Sequence, residues 1–142
     1  MDLARMKAKC AQLQWSLDDI DWDGPGKISK EEAQRLEGFL GDVVWVEDIA
    51  QPIFQAMAKN VADSDLREIY ESFAEDERRH AEAEMEVMHR WGLLKRGTMP
   101  TPNVNIRVLF DQLSKHAHEL HPSILSSIRS ATVSPPPLSR LW

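Results

Sequence analysis

Four side chains stand where a helix ought to be apolar. Read at alternating steps of four and three, the chain gives Leu36, Leu40, Val43, Glu47, Ala50, Phe54, Met57 and Val61, a core-facing stripe whose polar member is Glu47. The same stepping further on gives Leu66, Tyr70, Phe73, Glu77, His80, Glu84, Val87 and Trp91, where Glu77, His80 and Glu84 interrupt the apolar run. A carboxylate on a core face is costly unless it is protonated or ionised beside a partner, so these positions call for a chemical explanation.

Their spacing suggests one. Position 62 lies midway between Glu47 and Glu77, inside the short polar connection Val61-Ala62-Asp63-Ser64. In an antiparallel pair of helices, residues equidistant from the turn share a height, so the two carboxylates are expected to face each other. His80 follows one turn beyond Glu77 on the same face, making Glu77-Arg78-Arg79-His80 a Glu-x-x-His element. Two carboxylates with one imidazole suit iron or manganese, because carboxylates hold hard cations and imidazole suits borderline ones. Glu84, one turn past His80, reads either as an extra or outer ligand or as a half-exposed helix acid.

A bare Glu-x-x-His is weak evidence, since the chain holds a second one in Glu86-Val87-Met88-His89. Nine residues at about 100° each turn Glu86 nearly opposite Glu77, so this copy is expected on the solvent face with Arg79 and Glu82. Tyr70, two turns before Glu77, is either an electron relay or an amphipathic core residue. Trp45 and Trp91 are expected to pack. His116, His118 and His121 point to different faces of a helix and do not form a joint metal cluster.

The elements that must position these groups are helices. Ser29-Lys30-Glu31-Glu32 is a capping box that starts a helix running to about Asn60, with Pro52 expected to kink it near Glu47. Asp63 or Ser64 caps a second helix that runs to Trp91 and stops at Gly92. Upstream, Leu3 to Trp15 reads as a short amphipathic helix, followed by the acidic loop Ser16 to Gly26, whose Trp22 docks on the body of the fold. That loop lacks the spacing and closing Glu of an EF-hand, so it is not read as a calcium site. Ile106 to Leu120 forms a third long helix, with Pro122 interrupting before Ile124, Leu125 and Ile128. The end, with Pro135-Pro136-Pro137, reads as a poorly ordered tail. No strand alternation occurs, and the fold class is all-α.

Composition narrows the partners. In 142 residues, 23 acids against 17 bases leave a formal charge of −6, which argues against nucleic acid or an anionic membrane as the main partner. No apolar run approaches the ~20 residues of a membrane span, and the N-terminus lacks the apolar stretch of a signal peptide. A single cysteine, Cys10, forms no internal disulfide and suits a reducing compartment, so a cytoplasmic location is expected.

Val44-Trp45-Val46-Glu47-Asp48-Ile49-Ala50 and Ala74-Glu75-Asp76-Glu77-Arg78-Arg79-His80-Ala81-Glu82-Ala83-Glu84 resemble the first half of a ferritin-like di-iron carboxylate protein. The spacing is more similar to the ribonucleotide reductase small-subunit and oxygenase branch than to storage ferritins. Gln14 to Trp22, with Pro25, also resembles the lead-in of bacterial members of that branch, and the likeness extends from Trp15 to about Ile128. It implies a four-helix bundle with Glu47 as terminal or bridging carboxylate, Glu77 as bridging carboxylate and His80 as imidazole ligand. It also implies a di-iron cofactor, or manganese in its place, serving oxidoreductase chemistry with dioxygen and a small-molecule substrate. Residues 1–28 then form an N-terminal helix and acidic loop, 29–128 a truncated ferritin-like region and 129–142 the Pro-rich tail.

Such a family takes a second Glu and a second Glu-x-x-His from two further helices, yet no acid follows Glu119. The Pro-rich ending reads as a truncation or a shifted reading frame, and a complete site is expected to need a homodimer formed through the apolar helical face. The rival expectation is a non-catalytic helical fragment or interaction protein without metal, whose apolar stripe simply associates.

Overall fold

Local capping sets the frame. The computed structural model describes residues 2–23 and 28–116, and within them lie four α-helices and no strand. Helix α1 spans Leu3–Gln12, α2 Lys30–Asn60, α3 Ser64–Arg90 and α4 Val104–His116, with a short 3₁₀ turn at Leu17–Asp19 after α1. Gly24, Pro25 and Gly26 of the acidic loop, His118, His121, Pro122, Ile124, Leu125, Ile128 and the stretch 129–142 lie outside the described residues.

Helix α2 begins with the expected capping box: the Ser29 hydroxyl accepts from the Glu32 N–H at 3.2 Å, and the Glu32 carboxylate accepts from the Ser29 N–H at 3.1 Å. Asp63 caps α3 by accepting from the Leu66 N–H at 2.9 Å. At its other end Gly92 adopts φ +71°, and the Leu93 N–H donates to the Met88 carbonyl at 2.9 Å. A side chain would strain that left-handed turn, which is why the helix stops at glycine. α2 and α3 therefore form a long antiparallel pair, with Val44, Ile69 and Met88 fully buried in the described structure.

The stripe on α2 is only part of what that helix buries. Ala33, Gly41 and Val44 are buried in its first half, while Leu36 remains 38% exposed. A second face is covered by the segment after α3: a Cβ on Gly41 would lie 3.2 Å from that of Pro100, and the Trp45 indole N–H donates to the Pro100 carbonyl at 2.7 Å. A third face meets α4, where Ile49 and Leu113 are buried among Ile53, Ile106, Leu109 and Phe110. Trp45 thus packs as expected, edge-on to Phe110 at 4.9 Å. α2 continues through Pro52, which is exposed.

Two boundaries differ from the sequence expectation. α1 ends at Gln12 rather than Trp15, because the Gln14 side chain folds back to the Cys10 carbonyl and crosses to Ser72 on α3, both at 3.0 Å. α4 starts at Val104 because Asn103 accepts from the N–H groups of Asn105 and Ile106 at 2.8 and 3.1 Å, capping the helix before the apolar pattern begins. Among the described residues no helix is long and apolar enough to cross a membrane.

Candidate metal centre

The antiparallel pair brings the expected residues together. Glu47 on α2 and Glu77 and His80 on α3 each offer a ligand atom, all within 4.8 Å of one another. His80 Nδ1 stands 3.6 Å from Glu77 Oε2 and 3.8 Å from Glu47 Oε2. Bonds of about 2.0–2.2 Å to a divalent transition-metal ion set neighbouring donors roughly 3–4 Å apart, so this spacing fits an ion between them. The Glu47 and Glu77 side chains are 22% and 20% exposed, but His80 is 45% exposed, so the cluster opens to solvent on one side.

Among the described residues the cluster has no lysine or arginine counter-charge. None of the ion pairs made by lysine or arginine among the described residues reaches Glu47, Glu77 or Glu84. Burial first, and then the neighbouring Glu77 carboxylate, push the Glu47 carboxyl up to about 7, with His80 opposing the rise. Burial likewise pushes Glu84 up to about 7, with the Glu47 charge adding to it. Glu84 Oε2 is buried and has no hydrogen-bond partner. Crowded carboxylates that hold on to protons, beside an orphaned oxygen, form a donor set that a bound cation would satisfy.

Trp15 completes the site from outside the hairpin. Its ring stacks on His80 with centroids 5.7 Å apart and planes 24° from parallel, while the Arg79 guanidinium lies 5.8 Å from the Trp15 ring. Sequence periodicity placed Trp15 at the end of α1 without assigning it to the site. Only its place in the Gln14–Trp22 stretch pointed toward it. Tyr70 sits in an aromatic group with Phe54, at 6.4 Å, and Phe54 in turn meets Phe73 at 5.4 Å.

The second Glu-x-x-His departs from expectation. Rather than facing solvent, Glu86 and His89 are 15% and 12% exposed, and Arg79 is buried at 8%. The physical reason is that this side of α3 carries α1 and the chain around it. Arg79 is held by Gln14, Asp76 and Glu75, and Arg90 lies 4.9 Å from the ring of Trp22. Trp22 is docked as expected, its indole N–H donating to the Leu17 carbonyl at 3.0 Å. Arg96 binds Glu86 through both nitrogens at 2.9 and 3.0 Å, and with Arg90 it draws the Glu86 carboxyl down to about 2. Both His89 ring nitrogens are buried without a hydrogen-bond partner, with Nδ1 3.7 Å from Glu86 Oε2. No protein-family model, curated protein or solved structure matches the chain.

Proposed function

We propose that this chain is a non-haem metal-binding helical protein that holds iron, or manganese, through Glu47, Glu77 and His80, with Glu84 as a further ligand. The observation that carries the reading is the convergence of two carboxylates and an imidazole within 4.8 Å, without a lysine or arginine ion pair to balance them. Oxygen-rich donors with one nitrogen suit iron and manganese, since carboxylates hold hard cations and imidazole suits borderline ones. The resemblance to ferritin-like di-iron carboxylate proteins supports oxidoreductase chemistry with dioxygen and a small-molecule substrate. When bound, the metal supplies redox capacity at the carboxylate cluster. The protein's own part is to hold the donors: Glu47 gives up the proton that burial lets it retain, Glu77 stands beside it, and Trp15 limits rotation of the His80 ring.

Native mass spectrometry after anaerobic addition of ferrous ion, repeated with manganous ion, tests the reading. Bound metal that disappears in Glu47→Ala supports it, and a metal-free chain at saturating metal sinks it. A second reading rests on the exposure of Phe39 at 65% and Val46 at 45%, a surface that suits a metal-free interaction protein. On that reading Glu47→Ala leaves association intact or strengthens it, because it removes a half-buried carboxylate.

A further inference from the structure

We propose that a second copy of this chain closes over the open side of the α2–α3 pair, and that this closure depends on divalent metal. The inference rests on the metal-binding reading above and names the partner of that site.

The surface is built from α2. Leu36, Phe39, Val43, Val46 and Ala50 fall within about 80° of arc at 100° per residue, and Leu36, Phe39 and Val46 are 38%, 65% and 45% exposed. Glu47 borders this stripe on the side of α3, and Ile49 and Ile53, packed against α4, border it on the other. His80 is half-exposed and stands 3.8 Å from Glu47, so the metal cluster adjoins the edge of the apolar stripe.

The occupant follows from donor count and charge. Hard cations take about six ligands, whereas this face offers Glu47, Glu77 and His80 within reach of one point, with Glu84 nearby. A two-fold axis sets each patch against its own copy, so a second chain supplies donors of the same kind and a matching apolar stripe. The apolar stripe favours that pairing and the facing carboxylates oppose it. Cations shared between the two clusters remove the opposition, which makes metal the switch for assembly.

Sedimentation velocity and native mass spectrometry on the full chain decide the matter, with chelator, with manganous ion alone and with ferrous ion alone under argon. The expected result is a monomer in chelator and a dimer carrying metal, with dimerisation tightened at least about 100-fold when metal stands at 100 times its Kd. Phe39→Glu, at an exposed position, should keep wild-type helicity by circular dichroism, lose the dimer and bind metal at least about tenfold more weakly. A metal-bound wild-type monomer overturns the pairing and leaves the metal reading standing. A dimer indifferent to chelator overturns the metal dependence, as does a Phe39→Glu chain that binds metal as tightly as wild type. A chain that takes up no metal overturns both.

Discussion

Helix α3 carries the Glu-x-x-His spacing twice, and the two copies are almost alike within themselves. In Glu77 and His80 the nearest nitrogen and oxygen stand 3.6 Å apart, and in Glu86 and His89 they stand 3.7 Å apart. Their surroundings differ in charge. Glu86 is met by Arg90 and Arg96 and is drawn down to about 2, whereas Glu77 meets a second carboxylate, and Glu47 is pushed up to about 7. A carboxylate already neutralised by two guanidinium groups has little affinity left for a metal ion, while one that shares its space with another acid gains by binding one. The lesson is that the motif supplies donors and the counter-charge decides their use.

The largest expected break in this comparison comes from removing a donor. Glu47→Ala or Glu77→Ala should lower metal affinity more than about 100-fold, measured by competition with a fluorescent chelator. Glu86→Gln, in the same assay, should leave affinity unchanged while lowering Tm, since Arg90 and Arg96 lose their shared partner. An equal loss in both variants would mean that counter-charge does not separate the two elements.

Protonation sharpens the contrast. Glu47 and Glu84 are raised from 4.5 to about 7 in the folded chain, so the folded state binds their protons more tightly than the unfolded state does. Their contribution to stability is therefore fully present below pH 4.5 and is lost as pH rises through about 7. Glu47→Gln should accordingly gain stability over the metal-free wild type above pH 7, as read from urea unfolding at pH 5 and pH 8. Metal affinity has the opposite dependence, rising about tenfold per pH unit for each proton displaced until the carboxyls ionise.

A smaller effect is expected at Trp15. Trp15→Leu removes the ring stacked on His80 and facing Arg79, at a cost of about 1 kcal/mol in stability. Metal affinity should fall about tenfold, because the imidazole loses the contact that orients it. If stability falls and affinity does not, Trp15 packs without positioning the ligand.

Much of the frame was legible along the chain. The Ser29–Glu32 box, the Asp63 cap and Gly92 act within a few residues of themselves, so local chemistry announces them. The level shared by Glu47 and Glu77 follows from the turn midway between them. The environment of Glu86 was not legible, because Arg96 reaches it from beyond the end of α3. Nor was the burial of Arg79, whose partner Gln14 is 65 residues away in sequence. The three-sided burial of α2 escaped a periodicity reading for a similar reason. A single stripe accounts for one neighbour, and Pro100 and α4 are two more.

The sequence by itself determined that the described residues are all-α, that two long helices pair antiparallel, and that Glu47, Glu77 and His80 meet at one height. Those outcomes need only helical period, caps and a short turn, all set by neighbouring residues. Tertiary structure decided which carboxylates keep their negative charge unbalanced, which imidazole Trp15 covers and which stripe of α2 stays bare. These depend on how α1, the segment through Pro100 and α4 come back against the hairpin. Such returns are governed by packing between residues far apart in the chain, for which local spacing carries no signal.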